Sequence, residues 1–254
     1  MPPTSKRWQL EGAIRGKVMD SRGWPDLVKS AIALIAIGLI TAAAIQHILA
    51  DPRPLIPGNR IQCASLIYNI NRSSICFSDR FLTLLSSATR IKTDPHFHRV
   101  KLSSPDLMNY PFAIMSGQGS FQLSASERNQ LRYYLTHGGF LVASAGCSDQ
   151  TWAKSFREEF ARCFPGARLQ PIPISNPIFH LIYTVPDTQT VHALPGAPPA
   201  KIYGWSYHNK LVLVFSPDGL NDTRHAHNCC CCGGDEIADA EYINANLLAY
   251  AVLH

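Results

Sequence analysis

Residues 124–145, SASERNQLRYYLTHGGFLVASA, contain a complete helix signal followed at once by a strand signal. Ser124 and Glu127 have the spacing of a capping box, in which each side chain satisfies a backbone N–H at the start of a helix. An apolar stripe at helical spacing follows, made of Leu131, Tyr134 and Leu135. Gly138-Gly139 then supplies the left-handed stop, and the apolar run 140–145 predicts a buried strand. The stretch therefore predicts one helix–strand unit of an α/β fold.

Signals of the same two kinds continue on both sides of this unit. Further strands are predicted at 60–68, 98–102, 110–116, 200–207 and 210–216, the last two joined around His208-Asn209. Further helices are predicted at 73–87 and at 236–253. Another helix is predicted after Asp149, with Trp152, Phe156 and Phe160 on one face. Strands that alternate with helices predict a doubly wound, mostly parallel sheet.

Several of these segments together resemble the bacterial domain of unknown function 4159 family. The resemblance lies in residues 110–117, 131–144, 155–160, 177–180, 211–216 and 244–251. It extends from about Gln62 to His254, and the run Cys229–Cys232 resembles a Cys-rich subset of that family. The resemblance implies a flavodoxin-like sheet, similar to class I glutamine amidotransferase domains. It implies no catalytic residues, because none are established for the family.

Residues 30–50, SAIALIAIGLITAAAIQHILA, contain no Lys, Arg, Asp or Glu. As a helix the segment spans about 31 Å, which matches the hydrocarbon core of a bilayer. It therefore predicts a transmembrane helix. Two alternatives stay open: a buried core helix, and a cleavable signal peptide with its cleavage site at Ala42-Ala43-Ala44.

The charges around this segment predict its orientation. Residues 1–29 carry six Lys and Arg against three acidic residues, so the positive-inside rule places this basic arm in the cytoplasm. Residues 51–60 form a Pro-rich linker, and residues 61–254 form a soluble domain on the periplasmic or extracellular side. The chain is thus predicted to be a single-pass protein of the bacterial inner membrane, with a protein partner in the envelope.

The charge balance also excludes one class of function. The net charge is +5, of which the basic arm supplies +3, so the predicted domain carries little excess charge. Nucleic-acid-binding proteins concentrate basic residues on one face or stripe. A nucleic-acid partner is therefore not expected.

The segment 225–232, HAHNCCCC, concentrates imidazoles and thiols, which are ligands of zinc and other metals. The candidate metal ligands are His225, His227, Cys229, Cys230, Cys231 and Cys232. Successive side chains of extended backbone point to opposite faces, so one ion reaches all four thiols only across a turn. Further ligands would come from Cys63, Cys76, Cys147, His96 or His98. The spacing matches no standard zinc motif.

Disulfides are the alternative reading of the cysteines. The chain has eight cysteines, an even number, and a domain on the outer side lies in an oxidising compartment. The candidates for disulfides are Cys63, Cys76, Cys147, Cys229, Cys230, Cys231 and Cys232, while Cys163 lies near a buried helical stripe. Plain buried thiols are the third reading.

Cys147 is also the candidate nucleophile. It follows a buried strand and a glycine and precedes a helix, which is where a strand–turn–helix elbow exposes a catalytic side chain. A helix N-terminus would favour its thiolate form. The candidate bases are His180, His192 and His208, and nothing in the sequence selects among them. Asp149, Asp218 and Asp222 lie in turns at strand ends, where solvated carboxylates are the commoner case.

Three functions follow from these observations. The first is a non-catalytic binding or assembly domain, tethered to the membrane. The second is a Cys-dependent hydrolase or amidotransferase relative that uses Cys147. The third is a metal-binding or redox module built on Cys229–Cys232.

Overall fold

The computed structural model describes residues 60–69, 72–73, 76–226, 229 and 235–254. The predicted basic arm (1–29), the transmembrane helix (30–50) and all of the predicted linker except Arg60 lie outside these residues. In the part of the chain that is described, no helix is long and apolar enough to cross a membrane.

In the part of the chain that the structure describes, eight strands form one mixed sheet. They are β1 (Cys63–Tyr68), β2 (Arg72–Ser73), β3 (His98–Lys101), β4 (Phe112–Gly117), β5 (Phe140–Ala145), β6 (Gln170–Pro171), β7 (Tyr203–Tyr207) and β8 (Lys210–Ser216). Five of them are parallel and lie side by side in the order β3-β1-β4-β5-β8. Strands β7 and β6 extend the sheet antiparallel beyond β8, and β2 pairs antiparallel with the end of β1. The prediction of a mostly parallel α/β sheet is confirmed.

Within the described residues, four α-helices cover the two faces of the sheet. They are α1 (Arg80–Ala88), α2 (Ala125–Thr136), α3 (Gln150–Cys163) and α4 (Ala240–Leu253). The buried residues of α2 and α3 share one hydrophobic core with the sheet, and those of α1 and α4 share the other. The sheet is therefore wound on both sides.

The unit at 124–145 forms as the sequence predicts. Ser124 Oγ accepts the N–H of Glu127, and a carboxylate oxygen of Glu127 accepts the N–H of Ser124 at 2.7 Å. Gly138 has φ +98° at the end of α2, and every residue of β5 is buried. The other oxygen of Glu127 accepts the N–H of Asn69, so the same side chain also fixes the end of β1.

Two predicted helix boundaries are wrong. The helix expected at 73–87 begins at Arg80, because Arg72–Ser73 pairs with β1 instead. The helix expected at 236–253 begins at Ala240, because the backbone carbonyl of Glu236 accepts the N–H of Val191 and the N–H of Ile237 donates to the carbonyl of Gly219. In both cases long-range backbone pairing overrides the local helical pattern. The turn predicted at His208-Asn209 is confirmed, and both residues have the positive φ of a tight hairpin turn.

Candidate functional site at the carboxyl edge of the sheet

The loops that follow the parallel strands gather at the carboxyl edge of the sheet. Gln118 and Gly119 follow β4, the turn Gly146–Ser148 follows β5, and residues 217–222 follow β8. Open α/β sheets bind their ligands at this edge, because the loops there are free to vary while the strands hold them in place.

A row of buried serines crosses the three neighbouring strands β4, β5 and β8 just before these loops. Ser116 pairs with Ser144 and Ser144 with Ser216, and all three are almost fully buried. Buried hydroxyls need hydrogen-bond partners, so the strands end in a polar layer rather than an apolar one.

Asn221 connects this layer to the loops. Its Nδ2 donates to Ser116 Oγ at 2.7 Å and to the carbonyl of Cys76 at 3.0 Å, and its Oδ1 accepts the hydroxyl of Ser144. Ser144 Oγ in turn accepts the N–H of Leu220 at 2.7 Å. The loop after β8 is therefore fixed to the ends of β4 and β5 by side chains buried beneath it.

Cys147 lies in the turn between β5 and α3 with φ 55° and ψ 34°, a left-handed conformation that non-glycine residues seldom adopt. Its sulfur is bonded in a disulfide and accepts a hydrogen bond from Gln118 Nε2. Asp149 closes the turn, since its carboxylate accepts the N–H groups of Trp152 at 2.8 Å and Gly119 at 3.1 Å. The strand–turn–helix elbow predicted from the sequence is present, and in this state its sulfur is not a thiolate.

Cys63, Cys76 and Cys163 are free thiols. Burial raises the pKa of Cys63 far above its ordinary value, and burial together with nearby Glu159 raises the pKa of Cys163 to about 11. Both thiols are therefore protonated and unreactive at neutral pH. Cys76 is partly buried near the same edge, where its carbonyl contacts Asn221.

A cluster of metal-ligand side chains lies beside the loop after β8. Ligand atoms of Asp222, His225 and Glu241 all lie within 4.8 Å of one another. His225 Nδ1 lies 2.8 and 3.0 Å from the two carboxylate oxygens of Asp222, and Glu241 Oε2 lies 3.0 Å from Arg80 Nε. Asp222 is buried and has φ 49°, so it is not the solvated turn carboxylate that the sequence suggested.

A family model described as a domain of unknown function, DUF4159, matches residues 65–252. The chain belongs to the DUF4159 family. The match includes α1–α3 and β2–β8 in full, α4 except its last residue, and with them every loop of the carboxyl edge. Comparison with curated proteins gave no match.

The remaining predicted site residues of the DUF4159 domain are dispersed. His96 pairs with Asp79 at 2.7 Å, His98 with Asp94 at 2.9 Å, and His180 Nε2 contacts the carbonyl of Ile174. The candidate base His192 lies 3.5 Å from Asp235, and His208 is in the β7–β8 turn. Of the candidate metal ligands, His225 lies in the cluster and Cys229 is partly buried. His227, Cys230, Cys231 and Cys232 lie outside the described residues.

Sequence reasoning missed the serine row, Asn221 and Glu241. A signal was present for the first of these, because three apolar strand segments each place a serine at or next to their last residue. No local signal marks Asn221 or Glu241, whose partners are distant in the sequence.

Gly117 is the last residue of β4, at a point where the DUF4159 domain has no room for a side chain. A Cβ there would overlap Tyr68 Oη and lie 2.9 Å from Trp152 Nε1, two buried groups that hydrogen-bond to each other. We expect Gly117→Ala to lower the free energy of unfolding by about 1–3 kcal/mol, as overpacking does. Urea unfolding measures this, with Gln122→Ala on the exposed surface as control. Equal stability of the two variants would contradict the close packing.

Asp218, in the loop after β8, gives a prediction of pH dependence. Burial raises the pKa of its carboxyl. The charge of Asp235 raises this pKa further, and the charge of Arg157 lowers it. A raised pKa in the folded state means that the protonated form stabilises the fold, and that this stabilisation is lost as the pH rises through the folded pKa. We therefore expect the Tm of the wild type, relative to Asp218→Asn, to fall as the pH rises from the ordinary titration range of an aspartate carboxyl towards neutral pH. The exposed Glu158→Gln serves as control, and a Tm difference that rises with pH would refute the prediction.

Proposed function

We propose that this DUF4159 protein is a membrane-anchored, outward-facing domain that binds a ligand or an envelope partner at the carboxyl edge of its sheet. The observation that carries the proposal is the disulfide of Cys147. The elbow that would expose a nucleophile instead holds its sulfur in a covalent crosslink, so in this state Cys147 is not available as a nucleophile, which supports a binding rather than a catalytic role for the edge.

The fold supports this assignment of the edge. Numbered in chain order, the five parallel strands follow the order 2-1-3-4-5, which is the order of flavodoxin-like sheets. In such sheets ligands bind where the strand order reverses, and here that point lies between β1 and β4. We therefore infer a flavodoxin-like fold, similar to that of class I glutamine amidotransferase domains, without inferring their activity.

The disulfide also supports the outer location. Disulfides persist in oxidising compartments such as the periplasm and are rare in the cytosol. Because the disulfide partner is none of Cys63, Cys76, Cys163 and Cys229, we infer that Cys147 pairs with one of Cys230, Cys231 and Cys232. Together with the predicted transmembrane helix at 30–50, the disulfide supports our proposal that the domain lies on the far side of the inner membrane.

One observation favours the Cys-dependent enzyme as a second candidate. Cys147 has the positive φ that nucleophile elbows require, and a disulfide is reversible. In that case the protein would be active after reduction only.

Two measurements on the full-length chain test the proposal. C-terminal alkaline phosphatase and green fluorescent protein fusions report the compartment, and we expect activity from the first and no fluorescence from the second. Peptide mapping without reduction is expected to link Cys147 to the run 229–232. A fluorescent fusion together with an alkylated Cys147 thiol would overturn the proposal.

A test with reductant separates the two candidates. Hydrolysis of amide and ester substrates that appears on reduction, and is lost in Cys147→Ser but not in Cys76→Ser, would replace the binding function by the enzyme. No activity before or after reduction is the result expected for a binding domain.

A further inference from the structure

Three ligand side chains from two segments of the chain converge beside the loop after β8. Asp222 and His225 come from that loop and Glu241 from the first turn of α4, and their ligand atoms lie within 4.8 Å of one another. Two ligands at 2.0–2.2 Å from one ion lie at most about 4.4 Å apart. The three ligand atoms are therefore close enough to share one ion after small side-chain movements.

The convergence is fixed by contacts outside the three residues. Thr223 donates through its N–H and its hydroxyl to Glu236 Oε1, and Arg224 donates to the carbonyl of Ala238 at 3.0 Å. Asn244 Nδ2 donates to the carbonyl of Leu220 at 2.8 Å, which ties α4 to the same loop. The cluster is thus held before any ion arrives, as a metal site needs.

Two buried oxygens beside the cluster lack a hydrogen-bond partner among the described residues. They are Glu236 Oε2 and Asn244 Oδ1, on side chains that are 3% and 1% exposed. The other polar atom of each side chain is bonded to Thr223 or Leu220, which flank Asp222 in the same segment. Buried oxygens in folded proteins are almost always paired. Water molecules coordinated to an ion in the cluster would donate the missing hydrogen bonds.

The charge of the cluster also favours a cation. Asp222 and Glu241 bring two carboxylates together, and Asp222 is 4% exposed. The guanidinium of Arg80 balances Glu241, but its side chain is half exposed and is free to turn into solvent. Buried carboxylates are stable when they are paired or bound to a metal.

We propose that Asp222, His225 and Glu241 bind a divalent cation that accepts both nitrogen and oxygen ligands, of the Mn²⁺, Fe²⁺ and Zn²⁺ class. Three protein ligands leave coordination positions of the ion open. Metal sites of this kind use the open positions to bind a small molecule or water. The site differs from a cysteine-based one, since it needs none of the thiols of 229–232. It therefore stands whether or not the proposed compartment is correct.

Titration of the full-length protein with Mn²⁺, followed by the electron paramagnetic resonance signal of the free ion, tests the site. Mn²⁺ prefers oxygen and nitrogen ligands, so the cysteines contribute little to the Mn²⁺ binding that the titration measures. We expect one equivalent to bind, and Asp222→Asn and Glu241→Gln each to weaken binding at least about 10-fold. Asparagine tolerates the left-handed backbone of residue 222, and Glu241→Gln is an independent variant on a helix.

Two further variants make the outcome specific. His98→Ala removes a similar histidine, 2.9 Å from Asp94 and comparably exposed, and is expected to leave the affinity unchanged. Arg80→Ala removes the competing cation and is expected to strengthen binding. Circular dichroism checks that each variant is folded. The proposal is overturned if the wild type shows no saturable binding, if folded Asp222→Asn and Glu241→Gln bind like the wild type, or if His98→Ala weakens binding equally.

Discussion

An Asn221→Ala variant is expected to lose about 3–5 kcal/mol of unfolding free energy, because it removes hydrogen bonds to two buried hydroxyls and one backbone carbonyl, at about 1–3 kcal/mol each. The hydroxyl of Ser144 loses its acceptor, and Ser116 Oγ and the carbonyl of Cys76 lose the donor Nδ2. Alanine fills none of the space, and water reaches these groups only if the loop after β8 moves. Urea unfolding followed by tryptophan fluorescence gives the difference.

A control separates this network from the general cost of losing an amide. Asn129 lies on the exposed face of α2, and Asn129→Ala is expected to change stability by less than about 0.5 kcal/mol. Hydrogen exchange adds a local reading, since the amide of Leu220, which donates to Ser144, should lose protection in Asn221→Ala. A loss of stability no larger than that of Asn129→Ala would show that the buried amide does not hold the edge together.

The role of Asn221 illustrates what sequence reasoning does not reach. Its side chain binds Ser116 and Ser144, which are 105 and 77 residues away. No periodicity or spacing rule joins positions so far apart, because the contact exists only after the strands have taken their order. The serines themselves are visible in the sequence, but the residue that joins them is not.

The strands and helices were predictable where the signal was local. The capping box at Ser124, the glycine stop at Gly138 and the apolar run of β5 act within a few residues of each other, so the unit forms as predicted. The start of α1 was misplaced because residues 72–73 pair with β1, a contact that a helical stripe does not reveal. Local signals therefore predict the elements, and long-range pairing decides where they begin.

The candidate site divides in the same way. Cys147 was recognisable because the strand, the turn and the helix around it are contiguous. Glu241 was not, because it meets Asp222 only when α4 packs beside the loop after β8. Asp222 was expected to be solvated because aspartate is common in exposed turns, but here it is buried against His225.

Loss of the Cys147 disulfide is expected to have the other large effect. Removing a native disulfide typically costs about 2–5 kcal/mol, because the crosslink limits the conformations of the unfolded chain. The inferred partner in 229–232 lies far from Cys147 in the sequence, so the closed loop is long and the expected cost falls in the upper part of that range. We expect Cys147→Ser to lower the Tm strongly, and dithiothreitol to lower the Tm of the wild type by a similar amount.

The free cysteine Cys76 provides the matched control. Cys76→Ser removes a partly buried thiol near the same edge that forms no disulfide, so its Tm should stay close to that of the wild type and should still fall on reduction. Cys147→Ser, in contrast, should no longer respond to dithiothreitol, because the bond that the reagent cleaves is absent. If reduction lowers the Tm of Cys147→Ser as much as that of the wild type, the stabilising disulfide does not involve Cys147. The case for a structural rather than a nucleophilic sulfur at the elbow would then be lost as well.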